Sequence, residues 1–587
     1  MKNNNNGSFK LLMSYVLADK SKLAVTLLFV FVATGFEVLG PMLSKVFIDE
    51  FIMPDRYPLL PVLGVISAFI ISNGLATYLK YQQTLRFLDL ALTSVLDIRQ
   101  RVFNHVMRLP MAYFDYARTG QLVSRITNDT ESIKDIYVQF LSSVVANFIL
   151  LIGILGAMAI LDPQLMVIAL ILIPAVVGLI FIYQKFSVNV VTRSRQLRSD
   201  INATMNESIS GMSVIQATNQ QSAKMRQFDS VNDEYYTTRL KTVVVASLLL
   251  RPAINLLSIL ILGGVVWFFG RNVVEGVVEV GVLYAYLNYL ARFTEPLVEI
   301  TQRFGLYQQA IVAGDRVFEL LQEPQASAST EEFKAVADGH LTIDNVFFSY
   351  QANKDVLKNI TVDILPGSFY AIVGHTGSGK STLLSLLLNF YAPKSGEIRL
   401  DNHTLSSYAH DTLRSAVGFI PQEPFILASS IYENIDMGRG LTLEQISSAA
   451  KKAFLHEVIM EMKEGYDTHL GEGGLRLSTG QRQQLVIARA LAGNPKVLLL
   501  DEATANVDSE TEQVVQRALT QLQGSVTLIV VAHRLSTIQH ADQILVLDKG
   551  QLIEQGNHHA LMAIDHGRYR AMYNLQQQAK RVASLEI

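Results

Sequence analysis

A glycine-rich segment in the second half of the chain has the residue spacing of a phosphate-binding loop. Residues 374–381 (GHTGSGKS) fit the pattern G-x-x-x-x-G-K followed by Ser or Thr, with the apolar run FYAIV before them and STLLSLLLNF after them. In this pattern glycines let backbone N–H groups surround phosphates, the lysine reaches the outer phosphates, and the serine supplies an oxygen to Mg²⁺. The residues predicted to contact ATP are Gly374, His375, Thr376, Gly377, Ser378, Gly379, Lys380, Ser381 and Thr382.

Two adjacent carboxylates end an apolar run further along the chain. Asp501 and Glu502 follow VLLL at 497–500. A buried strand can present Asp501 to Mg²⁺ and Glu502 to an attacking water as a general base. Such a run alone is more often an ordinary strand end, but together with the phosphate loop it indicates ATP hydrolysis. The chain contains no cysteine, which excludes a thiolate nucleophile and disulfides.

A second loop of small residues lies between these motifs. Residues 471–481 (GEGGLRLSTGQ) lead into the helical run RQQLVIARALA, and small residues before a helix N-terminus form a phosphate-binding surface. One ATP cannot occupy two separate loops of a compact domain, so we expect this loop to meet the ATP of another subunit. The residues concerned are Ser478, Thr479, Gly480 and Gln481.

The first half of the chain is unusually apolar. Half of the 587 residues are hydrophobic, 17% are charged, and the mean hydropathy is +0.27, whereas soluble globular chains contain about a quarter charged residues. The excess lies in residues 1–322, in runs long enough to cross about 30 Å of hydrocarbon. The predicted spans are about 23–47, 57–79, 138–161, 163–184, 243–270 and 280–304. A buried helix of a soluble protein would explain one such run but not several.

Lysine and arginine are concentrated in two long connections between the spans, 80–137 and 185–242. By the positive-inside rule, these connections and both termini are cytoplasmic. Apolar residues in 80–108 recur near the helical period, so we expect the membrane helices to continue far into the cytoplasm. The net charge of −3 provides no attraction to nucleic acid, and we therefore expect no nucleic-acid partner.

The composition changes after a predicted polar linker at 323–337. Residues 338–587 alternate short apolar runs with amphipathic stretches, a pattern typical of a mostly parallel sheet covered by helices. The expected fold is therefore a membrane α-helical domain of six transmembrane helices with long cytoplasmic extensions, followed by an α/β phosphate-loop NTPase domain.

Together these motifs resemble those of an ATP-binding cassette. The phosphate loop, LSTGQ at 477–481, LLLDE at 498–502 and His533 in VVAHRLS follow one another in the order of that family. Six spans followed by one cassette resemble a half-size ABC exporter. Within that family, the stretches RITNDTESIKDIYV, LLLRPAINLLS and GVLYAYLNYLARFTEPLVE look most like the B subunit of bacterial Mdl/Smd-type heterodimeric multidrug exporters.

The resemblance implies ATP-driven export of hydrophobic or amphiphilic compounds across the bacterial inner membrane, with ATP and Mg²⁺ as cofactors. It implies contact with membrane lipid and a second half-transporter as partner, in a heterodimer rather than a homodimer. The cassette would lie in the cytoplasm. The segments near 113–128 and 206–216 would be coupling helices that dock on the cassettes. A lipid flippase of the same architecture is the alternative, because it would share every cassette residue.

Further residues take roles only through the resemblance. Tyr350 would stack on adenine, and Gln422 would contact Mg²⁺ or the attacking water, beside Ser381 and Asp501. His533 would hold the γ-phosphate, and Asp508 would lie across the dimer interface. Without the resemblance, Tyr350 is more simply a core aromatic and His533 a structural histidine.

The signature departs from the family at one position. The family usually has two glycines after the serine, and Thr479 replaces the first of them. A β-branched side chain there hinders the approach of backbone to phosphate. Because the chain keeps Glu502 and His533, we predict that its own phosphate loop forms the faster ATP site, completed by the partner's signature. The site built on LSTGQ would hydrolyse ATP slowly.

Charged residues in or beside the predicted spans are candidates for a substrate cavity. They are Glu37, Arg251, Arg292, Glu295 and Glu299. Intramembrane charges are costly and often functional. Ion pairs between helices, or snorkelling of Arg251 toward a span end, are an equally reasonable explanation. The acidic residues among them favour amphiphilic or cationic compounds over anionic lipids.

Overall fold

The chain forms two compact units, of which the computed structural model describes residues 13, 17, 19–249, 251–274, 279–325, 335–351, 354–501, 509–532 and 538–585. The first unit contains residues 1–109 and 117–324, and the second contains residues 110–116 and 325–587. The division at residue 324 falls within the segment predicted as a linker.

The first unit is helical. Its α-helices are Lys20–Phe47, Leu59–Val106, Thr119–Ser124, Thr130–Asp135, Ser142–Leu161, Pro163–Leu170, Leu172–Ser210, Met212–Ala217, Gln221–Leu249, Arg251–Val274 and Val280–Gln322, with π-helical turns at Ile48–Ile52, Arg125–Asp129 and Ile136–Leu141. Leu59–Val106 has 48 residues, which is about 72 Å of helix and more than twice the hydrocarbon thickness. This helix therefore continues well beyond its predicted span.

In the described part of the chain, 5 helical segments are long and apolar enough to cross a membrane. They are Lys20–Ile52, Leu59–Val106, Thr119–Leu161, Leu172–Ser210 and Gln221–Trp267. The predicted span 280–304 lies in Val280–Gln322, which is outside this group. Arg292, Glu295 and Glu299 interrupt its apolar sequence, and its assignment as a span stays a prediction.

The helix Val280–Gln322 nevertheless carries part of the core of the first unit. Tyr286, Tyr289 and Phe293 are fully buried and recur at helical spacing. They belong to one apolar cluster with Ile154 and Met158 of the helix Ser142–Leu161. One face of this helix is therefore packed against apolar neighbours, although the sequence of the helix includes charges.

The second unit is an α/β domain. Its helices are Met111–Tyr116, Lys380–Leu387, His410–Ala416, Ile431–Asp436, Leu443–Lys452, His456–Glu461, Thr479–Ala492, Ser509–Leu522, His558–Met562 and Arg568–Leu585, with 3-10 turns at Leu405–Ser407, Gly465–Asp467 and Glu472–Gly474. Its strands are β1 (Leu341–Phe348), β2 (Leu357–Ile364), β3 (Phe369–Val373), β4 (Ser395–Leu400), β5 (His403–Thr404), β6 (Val417–Ile420), β7 (Val497–Asp501), β8 (Thr527–Val531), β9 (Gln543–Asp548) and β10 (Gln551–Gly556).

These strands form two sheets. The 6-stranded sheet has the order β10-β9-β3-β8-β7-β6 and is parallel except for β10, which confirms the predicted mostly parallel sheet. A 4-stranded antiparallel sheet, β2-β1-β4-β5, was not predicted. Because the carboxyl ends of parallel strands share one edge, the segments that follow β3 and β7 emerge on the same side of the sheet.

Both faces of the parallel sheet are covered. Leu498 and Leu500 of β7 belong to one apolar cluster, and Val497 and Leu499 belong to another. This alternation follows from the two-residue period of a strand. A strand buried on both faces reads as an uninterrupted apolar run, which explains the VLLL sequence before Asp501.

Candidate nucleotide-binding site

The phosphate loop joins β3 to the helix Lys380–Leu387. Two of its glycines occupy positions where a side chain would clash with a neighbour or strain the backbone. A Cβ atom at Gly374 would lie 2.3 Å from the backbone oxygen of Leu547, and Gly379 has a φ of +103°, in the region that favours glycine. The loop can therefore adopt this conformation, with a helix N-terminus directly after it, only because these positions have no side chain.

Lys380 is held inside the loop. Its side chain is buried, and its Nζ atom donates hydrogen bonds to the carbonyl oxygens of Gly374 at 2.8 Å and His375 at 3.1 Å. The ammonium group is thus positioned by the backbone that would surround a phosphate. The hydroxyl of Ser378 is also buried and has no hydrogen-bond partner among the described residues, so a phosphate oxygen could supply the missing acceptor.

The loop hydroxyl and the strand carboxylate meet at this edge of the sheet. Ser381 Oγ lies 3.5 Å from Asp501 Oδ1, and such hard oxygen ligands suit Mg²⁺. Among the described residues, no group of three or more His, Cys, Asp or Glu side chains is placed to hold a metal ion.

Tyr350 lies beside the helix that follows the loop. It is 49% exposed, so it is not a core aromatic. Its hydroxyl donates a hydrogen bond to Thr382 Oγ1 at 3.3 Å, and its ring packs edge-on against Phe348 and Tyr391 at 4.9 and 5.2 Å. The structure thus presents an accessible aromatic ring next to Thr382.

Gln422 follows β6, the strand that pairs with β7. Its side chain is exposed. Gln422 and Asp501 therefore come after, or at the end of, neighbouring parallel strands. Glu502, Asp508 and His533 lie outside the described residues, and their roles stay predictions.

The signature residues form the start of the helix Thr479–Ala492. Ser478 Oγ accepts a hydrogen bond from the Gln481 backbone N–H at 3.2 Å, and Gln481 Oε1 accepts one from the Ser478 backbone N–H at 2.9 Å. This reciprocal cap stabilises the first helical turn. Thr479 is exposed, and its Oγ1 accepts a hydrogen bond from Arg482, whereas Gly480 is buried.

Arg489 of this helix was not predicted as an important residue, but it connects two other segments of the domain. Arg489 donates hydrogen bonds to the carbonyl oxygens of Asn434 and Phe425, both at 2.7 Å, and to Asn434 Oδ1 at 3.1 Å. Burial, and secondarily the charge of Arg439, lower the pKa of Arg489 to about 10. These hydrogen bonds of Arg489 hold the segment that follows Gln422 against the signature helix. In the sequence, Arg489 looks the same as an exposed arginine on the solvent face of a helix, which is why it was missed.

Charged residues of the first unit line a cavity of about 570 Å³. Glu37 forms an ion pair with Lys80 at 2.7 Å, and Arg303 lies 3.6 Å from Glu299. Asn147 Nδ2 donates a hydrogen bond to Glu299 Oε2 at 2.9 Å. The structure brings together two of the predicted cavity residues, Glu37 and Glu299, as members of ion pairs.

The other predicted cavity residues are less central. Arg292 donates a hydrogen bond to the Glu37 backbone oxygen at 3.1 Å, Glu295 is exposed, and the side chain of Arg251 is outside the described residues. Lys80 and Arg303 were missed, although Lys80 lies just beyond the predicted span 57–79 and Arg303 lies next to the last residue of the predicted span 280–304. Their position at span ends was a usable signal, since long cationic side chains can reach toward buried carboxylates.

Comparisons with known families agree with this arrangement. The family described as ABC transporter transmembrane region matches residues 23–297, and the family described as ABC transporter matches residues 357–505. Among solved structures, the chain is similar to a bacterial Atm1-family ABC exporter with ATP bound, with a TM-score of 0.79 and 26% sequence identity, over 95% of this chain and 98% of that one.

Several curated proteins are similar over nearly the whole chain. The multidrug resistance-like ATP-binding protein MdlB of Buchnera aphidicola subsp. Acyrthosiphon pisum is 39% identical over 568 residues, 97% of each chain. A putative ABC transporter ATP-binding protein, exp8, of Streptococcus pneumoniae is 38% identical over 97% of each chain. An ATP-dependent lipid A-core flippase of Shewanella denitrificans is 33% identical over 98% of this chain and 99% of its own.

Proposed function

Because the chain belongs to the ABC transporter family, as an exporter with a membrane unit fused to an ATP-hydrolysing cassette, we propose that it exports hydrophobic or amphiphilic compounds as half of a heterodimer. The membrane would be the bacterial inner membrane, with the cassette and both termini in the cytoplasm. The observation that carries this proposal is the approach of Ser381 to Asp501 at 3.5 Å, in a chain whose described residues also form 5 long apolar helices. The similarity to MdlB supports the choice of cargo.

Each cassette residue would have a defined task at the ATP. Lys380 would contact the outer phosphates from inside its loop, and Tyr350 would stack on adenine. Ser381, Asp501 and Gln422 would hold Mg²⁺, which when bound neutralises phosphate charge. Glu502 would accept a proton from the attacking water, with His533 orienting the γ-phosphate. The reciprocal cap of Ser478 and Gln481 would hold the signature helix N-terminus ready for the partner's ATP.

Coupling to transport follows from linkage. ATP bound between two cassettes favours their association, and hydrolysis removes that preference. Cargo is moved only if it binds the inward-open and outward-open states with different affinities. The cavity lined by Glu37 and Glu299 is the candidate cargo site. A cationic amphiphile could replace Lys80 or Arg303 as the partner of a carboxylate.

We expect cationic amphiphiles to stimulate the ATPase of the reconstituted heterodimer more than anionic lipids do. The measurement is ATP hydrolysis in proteoliposomes of fixed phosphatidylcholine content, titrated with a cationic dye or with a lipid A-type glycolipid. A matched variant, Glu37→Gln, should weaken dye stimulation and leave unstimulated hydrolysis in place. Stimulation by the glycolipid alone would overturn drug export and support the flippase suggested by the 33% identical relative.

A charge placed at Thr479 tests the heterodimer. Thr479 is exposed at the start of its helix, where a glutamate suits the helix dipole but repels ATP phosphates across the interface. In the heterodimer, Thr479→Glu should impair only the slow site and lower total ATPase less than about threefold relative to Thr479→Gln. In a homodimer every ATP would meet the new charge. A loss of about 100-fold would therefore contradict the asymmetric assembly.

A further inference from the structure

A cavity of about 230 Å³ lies between two long helices of the first unit, Leu172–Ser210 and Gln221–Leu249, and three arginines line it. The polar lining residues are Ser194, Arg195, Arg198, Tyr235, Arg239 and Thr242. With Val191, those from the first helix follow the helical pattern 191, 194, 195 and 198, and those from the second are spaced four and three residues apart. Each helix therefore turns a single face to the cavity.

The arginines of this cavity have no charge partner within the described residues. The carboxylate of Glu234 is already bound by Arg193, whose Nε donates to Glu234 Oε1 at 2.9 Å. In the ranges that the structure describes, Arg195, Arg198 and Arg239 form no ion pair. Like charges on two packed helices repel one another, so an anion between them would relieve an unfavourable arrangement.

Ser194 and Thr242 add hydroxyl groups to the lining, of which that of Thr242 already donates a hydrogen bond to the Thr238 backbone oxygen at 3.0 Å. Ser194 and Thr242 are 6% and 9% exposed, whereas all three arginines are exposed. Guanidinium groups bind phosphate oxygens through paired N–H donors, and hydroxyl groups add further hydrogen bonds. The combination is therefore suited to a phosphate group rather than to an apolar ligand.

The cavity lies close to the expected membrane surface. Arg239 comes shortly before the predicted span 243–270, at about 6 Å along the helix. The headgroup layer is about 5–8 Å thick on each side of the hydrocarbon. Arg239 at this depth on the cytoplasmic side can attract an anionic lipid headgroup. Arg195 and Arg198 lie deeper in the cytoplasm, about 17 and 21 Å along their helix from the end of the predicted span 163–184.

We propose that this cavity binds a phosphate group, presented either by an anionic phospholipid of the inner leaflet or by inorganic phosphate from the cytoplasm. The site is separate from the nucleotide loop and from the cavity of Glu37 and Glu299. It does not depend on which compound the transporter exports, because none of its residues belongs to either of those sites.

The test is native mass spectrometry of the full-length transporter in its assembled complex. The complex is titrated with phosphatidylglycerol, phosphatidylcholine or inorganic phosphate. Arg198→Gln and Arg239→Gln should each lower the affinity for phosphatidylglycerol about fivefold, and together about 25-fold. Arg226→Gln is the matched control, since Arg226 is an exposed arginine of the same helix as Arg239 but does not line the cavity.

The outcomes separate the two sources of phosphate. If the arginine variants weaken the binding of phosphatidylglycerol but not that of inorganic phosphate, the ligand is a lipid headgroup. If they weaken the binding of inorganic phosphate to the same extent, the ligand is the free anion. Equal binding by the double variant and the parent, or an equal loss in Arg226→Gln, would overturn the site. Unstimulated ATPase of every variant serves to verify folding, and Arg198→Lys should restore part of the binding.

Discussion

Replacing Lys380 by alanine is expected to lower ATP hydrolysis by the assembled transporter about 10²–10³-fold, the usual effect of removing one preorganised group that stabilises developing charge. The structure explains the size of this effect. Lys380 Nζ is fixed by the carbonyl oxygens of Gly374 and His375, so its positive charge is held in the loop before ATP binds. Binding of a fluorescent ATP analogue and steady-state hydrolysis are the two measurements.

Two further variants make the result specific. Lys394→Ala removes a surface lysine of the same domain, paired with Asp355 at 2.9 Å, and should change hydrolysis little because exposed ion pairs contribute little. Lys380→Arg keeps the charge but carries a larger, planar group into a buried position, so it should not restore activity. If Lys380→Ala bound and hydrolysed ATP as the parent does, the assignment of 374–381 as the nucleotide site would be wrong.

Glu502→Gln is expected to lower ATP hydrolysis by about 10²–10⁴-fold and to leave ATP binding intact, because an amide cannot accept the proton of the attacking water. Glu502 directly follows Asp501, which ends β7. Because this chain is predicted to carry the catalytic glutamate of the faster site, while its weakened signature belongs to the slower one, the variant should remove nearly all hydrolysis of the heterodimer. Hydrolysis and trapping of bound ATP are measured on the purified complex.

The control for this variant is Glu461→Gln, which removes an exposed carboxylate at the end of the helix His456–Glu461. Its hydrolysis should match that of the parent. Hydrolysis near the parent level in Glu502→Gln, with ATP still bound, would show that the faster site uses the partner's glutamate. The proposed asymmetry would then be reversed, but the nucleotide site at Lys380 would stand.

Local sequence was sufficient for the parts of the site that lie within one loop or strand. The function of residues 374–381 could be predicted from sequence because the glycines, lysine and serine all lie within one short loop. The VLLL run predicts a strand buried on both faces, and a parallel sheet then carries Asp501 to the edge where Ser381 lies. The α/β fold and a set of long membrane helices followed from hydrophobic period and length.

Only the tertiary structure decided which distant side chains meet. Helical period assigns a residue to a face but does not say which helix covers that face, so the pairing of Glu37 with Lys80 was not predicted. The same reason hid the contact of Arg489 with Asn434 and Phe425. The cavity between Leu172–Ser210 and Gln221–Leu249 exists only because those helices pack side by side. Sequence therefore determined the chemistry available to this exporter, and packing determined which charges were paired.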